Sequence, residues 1–427
     1  MKTYFKSALL TGTALVAIGA FAMPQQALAQ TVATSGGGIF SDNSLDSGDV
    51  ASLSDTDDPV IDIDDTTVLV IDASYNDDDN NTTADNNVVN ISAGGGLTVN
   101  AGANLQQSVG AGDVVATDGD VAVQTITING QVTATANTEH AINLASLTGG
   151  TNGGTIVING GAGTDGQVVG IINGGAGDDS LTISGSGGAA DVDGAITLGG
   201  GADTIDIDGT NAVTVDAVTG GGGNDVLTIT NASAGFGGAI NLGTDGSDAV
   251  VVNLGASDTL AIGQTVTADA VQVQGGTLDA SGDDFSGSGA VELGENANAS
   301  LTIDDSSVFT NVTIDKNDGG TGTATLDLDT SGGDIGDSST ELGAIGGGTN
   351  GALDTINISG GNVFIHDQNV RATDVNIQDG SEFNLTGGTV EANVTGSTGG
   401  DTIDVDGTAQ FGASGNTVDL GDGDDTV

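Results

Sequence analysis

The sequence has almost no basic residues, no cysteine and very few aromatics. Lysine and arginine together number 4 against 59 aspartates and glutamates, so the formal net charge is −55 at pH 7. Nucleic acid is excluded as a partner because no basic patch can be assembled from so few cations. Without cysteine, no disulfide can hold the fold together. With no tryptophan and 3% aromatics, we do not expect a sugar-stacking cleft.

The same scarcity argues against an enzyme. Apart from Lys2 and Lys6 near the N-terminus, the only basic side chains are Lys316 and Arg371, too few for chemistry that neutralises an anionic substrate. The two histidines, His140 and His366, are expected to be exposed loop residues rather than general bases. Paired carboxylates for glycoside hydrolysis exist among the acids, but no constellation singles them out. We therefore expect no catalytic site.

The N-terminus has the features of a secretory signal peptide. Lys2 and Lys6 give a positive start, residues 8–22 are apolar, and residues 27–29 form an A-x-A cleavage site. The sequence therefore predicts a Sec signal peptide over residues 1–29 and export through the inner membrane of a bacterium.

Two regions follow the leader. Residues 30–92 are rich in Ser, Asp and Asn, and one strand-like run, VIDIDDTTVLVID at 60–72, interrupts them. We interpret this region as an acidic cap or lead-in. From residue 93 to 427 a five-residue phrase recurs, as in TITIN (125–129), SLTIS (180–184) and TIDID (204–208). Apolar and polar residues alternate in each copy, which is typical of a strand with one buried face.

Glycine turns separate these strands and follow the pattern G-G-x-G-x-D-x-U-x, where U is aliphatic. Residues 174–182 and 220–228 fit completely, residues 198–206 lack the first glycine, and residues 243–251 lack the second. A looser form occurs twice near residue 427. The glycines of the two complete copies are Gly174, Gly175, Gly177, Gly220, Gly221 and Gly223. The aspartates at the D position are Asp179, Asp203, Asp225 and Asp248, with Asp401 and Asp425 in the looser copies.

The spacing of these aspartates predicts the fold. The first four are 24, 22 and 23 residues apart, and the last two are 24 apart. A fixed period in this range, with two short strands per unit, indicates an all-β fold, namely a parallel β-solenoid (β-helix or β-roll) with coils of about 22–24 residues. Neither strand can bury its apolar face alone, so the coils must stack.

Stacking in register would place the first four aspartates in one column. Like charges opposite one another across strands are destabilising, and the neighbouring outward column (Thr182, Asp206, Thr228 and Val251) contains only one acid. A column that keeps its carboxylates beside flexible glycine turns is typical of a Ca²⁺ ladder, because calcium prefers oxygen ligands in flexible sites. The alternative is that each aspartate only forms an Asx-turn and keeps the surface soluble.

Two segments, GGAGDDSLT and GGGGNDVLT, resemble the nonapeptide of RTX (repeats-in-toxin) proteins, whose parallel β-rolls bind calcium at this turn. The resemblance implies carboxylate ligation by Asp179 and Asp225, and by analogy by Asp203, Asp248, Asp401 and Asp425. RTX nonapeptides run in tandem, whereas this sequence has one such turn per 22–24 residues. The coil is therefore expected to be wider.

The leader, the lack of cysteine and the Gly/Asn/Thr-rich repeats resemble the passenger of a type V autotransporter. This implies a structural or adhesive protein at the cell surface or outer membrane of a Gram-negative bacterium, or outside the cell. Its expected partners are calcium and a glycan or protein of a host or neighbouring cell, or a second copy. Membrane contact would come only from a C-terminal barrel, so we expect the sequence to be part of a longer chain.

Two other functions remain open from the sequence. The chain could be an S-layer-like or secreted RTX-type lattice protein assembled by calcium, or, less favoured, a glycan-acting β-helix enzyme. The high acidity is also compatible with a saline habitat.

Overall fold

The fold comes from a computed structural model, in which the second half of the chain is described almost continuously. It describes residues 33–34, 44–45, 61–63, 68–77, 88–91, 95–107, 112–117, 125–145, 147, 153–285, 287–295, 297–317, 320–330, 333–336, 342–347, 351–378, 380–412 and 415–427. The signal peptide predicted over residues 1–29 lies outside the described residues, as does most of the acidic lead-in.

The described residues contain strands, turns and bends, and no helix. In chain order the strands are β1 (Ala33–Thr34), β2 (Ser44–Leu45), β3 (Ile61–Ile63), β4 (Val68–Ile71), β5 (Tyr75–Asp77), β6 (Val89–Ile91), β7 (Gly96–Val99), β8 (Asn104–Gln107), β9 (Val115–Thr117), β10 (Ile126–Ile128), β11 (Gln131–Thr133), β12 (His140–Asn143), β13 (Thr155–Asn159), β14 (Gln167–Val169), β15 (Ile171–Asn173), β16 (Ser180–Gly185), β17 (Ala190–Asp193), β18 (Ile196–Gly201), β19 (Thr204–Gly209), β20 (Val213–Val215), β21 (Val218–Gly223), β22 (Val226–Ile229), β23 (Ala234–Phe236), β24 (Ile240–Asn241), β25 (Ala249–Asn253), β26 (Thr259–Ala261), β27 (Val266–Thr267), β28 (Ala270–Asp279), β29 (Ala290–Leu293), β30 (Ala299–Asp304), β31 (Thr313–Lys316), β32 (Ala324–Asp329), β33 (Asp334–Ile335), β34 (Leu353–Ser359), β35 (Asn362–Ile365), β36 (Val370–Ile377), β37 (Glu382–Leu385), β38 (Thr389–Thr395), β39 (Thr402–Val405), β40 (Gln410–Phe411) and β41 (Val418–Asp419).

These strands stack as a parallel β-solenoid of about 13 turns, which confirms the predicted fold class. Up to β25 each coil gives one strand to each of three sheets. The first sheet runs from β3 to β27, the second contains β4, β7, β10, β13, β16, β19, β22 and β25, and the third runs from β5 to β23. The prediction of two strands per coil is therefore wrong for this half, because a third short strand closes each coil.

The second half of the solenoid is arranged differently. The first sheet ends at β27 and the third at β23, while the second sheet takes up two segments of each coil. Strand β28 shows this directly, since its first half pairs with β25 and β29 and its second half pairs with β26 and β30. A separate four-stranded sheet, β33-β35-β37-β39, covers the remaining side of the last coils.

The coil length is regular only in the middle of the chain. Equivalent residues of successive coils are 22–24 apart between Asp179 and Asp248, as predicted. They are 30 apart between Asn129 and Asn159, and 19 apart between Asp374 and Asn393. The extra residues of the 30-residue coil lie outside β10 and β13, which pair in register. In the 19-residue coil one residue is lost within the strands, because the register of β36 and β38 shifts between Arg371 and Asp374.

Columns of aliphatic side chains form the core, as the alternating phrases predict. Alternate positions of the strands of the second sheet face inward, and the inward residues of successive coils are fully or almost fully buried. One such column consists of Ile126, Ile156, Leu181, Ile205, Leu227 and Val250. Burying each of these side chains contributes about 1.5–3 kcal/mol, which allows a chain with few aromatics to hold a core.

Asparagine side chains link several coils on the outside of the sheets. The Nδ2 atom of Asn159 donates to Oδ1 of Asn129 at 2.9 Å, and Asn173 donates to Asn143 at 3.0 Å. We expect Asn159→Ala to lower the free energy of unfolding by about 1 kcal/mol, because one side-chain hydrogen bond is lost. Denaturant unfolding measures this, with Thr182→Ala on the same face as the control. Equal losses in both variants would contradict a specific contribution from the asparagine pair.

Candidate cation-binding turn

The structure places four of the predicted aspartates in one column. Asp179, Asp203, Asp225 and Asp248 directly precede strands β16, β19, β22 and β25, which pair in register in the second sheet. All four are at most 4% exposed. The column therefore lies inside the corner where the chain passes from the first sheet to the second.

Each carboxylate in this column accepts a hydrogen bond from the backbone of the preceding coil. Oδ1 of Asp203 accepts the N–H of Asp179 at 2.7 Å, Asp225 accepts that of Asp203 at 3.0 Å, and Asp248 accepts that of Asp225 at 2.9 Å. Oδ1 of Asp179 accepts the N–H of Gly154 at 2.6 Å. Carboxylates and N–H dipoles thus alternate along the column, so each acid closes the turn of the coil before it. These N–H donors offset part of the repulsion that stacked acids would otherwise have.

The second carboxylate oxygen is left without a partner in three of the four coils. Oδ2 of Asp203, Asp225 and Asp248 is buried and makes no hydrogen bond, whereas Oδ2 of Asp179 accepts the N–H of Gly175 at 2.8 Å. A buried polar atom without a partner is costly. These three oxygens are therefore placed where a proton or a cation would be stabilising.

Burial also shifts the titration of these acids. Desolvation raises the pKa of Asp203 to about 7, and the charges of Asp179 and Asp225 raise it further. The hydrogen bond from the N–H of Asp179 lowers this pKa but does not cancel the rise. Desolvation likewise raises the pKa of Asp179 and of Asp225, and their backbone hydrogen bonds oppose the rise. Charging this corner in the absence of a cation is therefore unfavourable.

The glycines of the turn are required by contacts with the acids and with neighbouring backbone. A Cβ atom at Gly174 or Gly220 would lie 2.4 or 2.3 Å from Oδ2 of Asp179 or Asp225. At Gly175 it would lie 2.6 Å from the carbonyl oxygen of Leu147.

The later glycines of each turn meet carbonyl groups of the preceding coil. Gly221 and Gly223 have φ values of 126° and 139°, and a Cβ there would lie 1.7 and 1.6 Å from the carbonyl oxygens of Gly199 and Gly201. A Cβ at Gly201 would likewise lie 2.5 Å from the carbonyl oxygen of Gly177. Backbone carbonyl oxygens of successive turns therefore point along the solenoid axis.

Leucine and glycine alternate at the first position of the turn from coil to coil. The registers Asn143–Asn173, Asn173–Thr197, Thr197–Thr219 and Thr219–Asn241 place the following residues beside one another. Those residues are Leu144, Gly174, Leu198, Gly220 and Leu242, all buried. A coil with leucine at this position is thus followed by a coil with glycine. The sequence pattern alone did not indicate this alternation.

The register also corrects the reading of GTDGSDAVV at residues 243–251. The sequence pattern put Gly243 at the first position and assigned the missing glycine to the second. Because Asn241 pairs with Thr219, Leu242 occupies the first position and Gly243 the second. One additional residue then precedes Asp248, so this coil lacks the first glycine, like the coil of Asp203.

Asp401 and Asp425 lie at a different corner from the other four. Asp401 precedes β39, which belongs to the separate four-stranded sheet. The local geometry is nevertheless repeated: Oδ1 of Asp401 accepts the N–H of Gly380 at 3.0 Å, and Oδ1 of Asp425 accepts the N–H of Asp401 at 3.1 Å. The alternation of leucine and glycine at the first turn position also occurs here, since the register of β38 and β41 places Leu420 beside Gly396.

Side chains alone do not assemble a metal site in the part of the chain that the structure describes. No group of three or more His, Asp or Glu residues there is arranged to hold a metal ion. Calcium at the corner would combine an unpaired Oδ2 with backbone carbonyls of the glycine turn, a donor set of oxygens that suits it. The orphaned oxygens of Asp203, Asp225 and Asp248 fit this requirement.

The basic and histidine side chains are paired with acids or hydroxyls. Lys316 lies 2.8 Å from Asp354, and Arg371 lies 3.0 Å from Glu391. His140 begins β12, so the loop expectation is wrong for it, and its Nδ1 lies 2.9 Å from Oδ1 of Asp113.

His366 directly follows β35, and its Nδ1 lies 2.8 Å from the hydroxyl of Thr386.

The fold and the corner together define a parallel β-solenoid whose turns are closed by buried aspartates. No protein-family model, curated protein or solved structure matches this chain. Within the described ranges, no helix has the length and apolar character needed to cross a membrane.

Proposed function

We propose that the chain is exported by the Sec route and acts at the surface of a Gram-negative bacterium as a structural or adhesive solenoid stabilised by calcium. The proposal is supported chiefly by one observation, the column of buried aspartates with unpaired Oδ2 atoms in successive coils. A protein that folded without a cation would gain by replacing these acids with neutral residues. The proposed adhesive partner is a glycan or protein of another cell, or a second copy of the chain.

The role proposed for calcium is to complete the corner. Asp203, Asp225 and Asp248 would supply carboxylate oxygens, and the glycine turns would supply carbonyl oxygens. A bound cation would offset the cost of burying the charge, and because binding requires the folded turn, it would stabilise the solenoid. The folded surface would then depend on the calcium of the medium outside the cell.

Thermal unfolding of the chain without residues 1–29 tests this proposal. In EDTA we expect a low unfolding midpoint, and in calcium at 100 times the dissociation constant each site adds about 2.7 kcal/mol. Circular dichroism follows the sheet signal, and MgCl₂ and NaCl at matched ionic strength serve as controls. An equal rise with sodium would show only charge screening and would sink the calcium proposal.

The proposed location has its own test. The full chain and a version lacking residues 1–29 are expressed in a Gram-negative host, and the cells are fractionated into cytoplasm, periplasm, outer membrane and medium. We expect only the full chain to be outside the cytoplasm. Cytoplasmic retention of both versions would contradict the proposed export, whatever the calcium result.

A further inference from the structure

A further buried acid, Asp283, lies outside the aspartate column, at the place where the first sheet ends. Beyond β27, within the described residues, the ladder on this side continues as the isolated bridges Thr265–Asp284 and Asp284–Val308. The core beneath contains Phe285 and Phe309, whose rings stack with centroids 4.8 Å apart. We call residues 263–267, 279–285 and 304–309 the Asp283 joint.

Asp283 is completely buried in this joint. Its exposure is 0%, and neither carboxylate oxygen makes a hydrogen bond. The backbone N–H groups of Gly263 and Gln264 face the carboxyl and favour its ionised form, but neither makes a hydrogen bond to it. In the next coil the bridge between Asp284 and Val308 places Ser307 at the equivalent position.

Ser307 makes the hydrogen bond that Asp283 lacks. Its hydroxyl lies 2.8 Å from the carbonyl oxygen of Ala280 and 2.8 Å from Oδ1 of Asp304, so a neutral donor at this position has an acceptor in the backbone of the preceding coil. An ionised carboxylate can only accept. A protonated Asp283 could donate, as serine does, and would bury no charge.

We propose that the Asp283 joint is a proton-sensitive hinge of the solenoid, closed while the Asp283 carboxyl is neutral and loosened when it ionises. The charged groups that face it are the carboxylates of Asp279 at the end of β28 and Asp304 at the end of β30. Both disfavour the ionised form. The two basic side chains among the described residues, Lys316 and Arg371, are paired elsewhere, with Asp354 and Glu391.

The direction of the effect follows from linkage. Desolvation raises the pKa of Asp283 from its usual value of 3.8 to about 7, against the two backbone N–H groups, while Asp279 and Asp304 raise it further. The closed joint therefore holds the proton more tightly than the open joint. Its stability is fully present below about pH 4, falls as the pH rises towards 7, and is constant above. From pH 5 to pH 8 we expect the open fraction to increase up to about 100-fold.

Hydrogen exchange of the full chain in EDTA, read by mass spectrometry, tests the hinge without any contribution from calcium. Peptides covering residues 263–285 are compared at pH 5 and pH 8, after correction for intrinsic exchange, with residues 353–395 as the internal reference. Asp283→Asn removes the ionisable group and should abolish the pH dependence in the joint. Asp284→Asn, a neighbouring half-buried acid, is the matched control and should keep it.

Two results would overturn the hinge. One is a pH dependence in Asp283→Asn equal to that of the unmodified chain. The other is a joint whose protection changes no more with pH than that of the reference peptides. Should Asp283→Asn fail to fold, Asp283→Ser places in this coil the residue that the next coil already has, and the unmodified chain remains decisive by itself. Loss of calcium stabilisation, by contrast, would leave this result unchanged.

Discussion

Gly223→Ala is expected to lower the free energy of unfolding by about 3 kcal/mol. Two separate causes contribute. The φ of 139° is one that side chains other than glycine rarely adopt, and the new Cβ would lie 1.6 Å from the carbonyl oxygen of Gly201. Because Gly201 and Gly223 face each other in paired strands, relief requires the two coils to separate.

Gly235→Ala is the matched control for this prediction. It lies in β23 of the same part of the solenoid, and a Cβ there would meet no atom within 4 Å. Its effect should remain within about 0.5 kcal/mol. Denaturant unfolding of both variants in EDTA and in calcium gives the comparison. If Gly223→Ala proved as stable as Gly235→Ala, the close stacking of the turn backbones would be wrong.

The second large effect is expected at Asp225. In Asp225→Ala the N–H of Asp203 loses its acceptor and the side chain leaves a void in the corner. A buried unsatisfied donor together with a small cavity costs about 3 kcal/mol. This loss is expected with or without calcium, because it concerns the closure of the turn.

Asp225→Asn separates closure of the turn from cation binding. The amide oxygen can still accept the N–H of Asp203, while the buried negative charge is removed. In EDTA we therefore expect stability equal to or above that of the unmodified chain, and in calcium the stabilisation from this site should be absent. Asp206→Asn, an exposed acid on the outward face of β19, is the control and should change neither.

The comparison of these variants distinguishes the two interpretations of the column. If Asp225→Asn keeps the full calcium response, the acids only close turns, as in the Asx-turn alternative. If it is as unstable in EDTA as Asp225→Ala, the charge itself is required for the hydrogen bond to Asp203. Only a neutral result in EDTA combined with a lost calcium response agrees with the proposed function.

The second-sheet strands could be predicted because burial fixes their alternation. Runs such as TIVIN and TIDID are long enough for the two-residue period to be visible. The third strand of each coil was missed because it is short: ADVD at β17, VTV at β20 and AGF at β23 offer two inward positions each. Over three or four residues, an alternation of apolar and polar residues cannot be distinguished from the sequence of a turn.

The aspartate column was predictable in part. Its period gave the stacking of Asp179 to Asp248, but the donors that each acid faces belong to another coil and leave no local signal. The corner of Asp401 was equally hidden. Its nine residues look like those around Asp179, and only the pairing of β39 with β37 shows that they lead into another sheet. Asp283 gave no signal at all, because it lies outside the glycine-turn pattern and its burial arises only when the coils stack.

The alternation of leucine and glycine at the corner bears on how such a chain can grow or shrink. The structural unit is a pair of coils, one contributing Leu198 and the next Gly220, although each coil alone looks like a complete repeat. Loss of one coil would place two glycine turns or two leucine turns side by side, whereas loss of two coils would keep leucine and glycine alternating. Tandem duplication that preserves the fold should therefore proceed in even numbers of coils through this stretch.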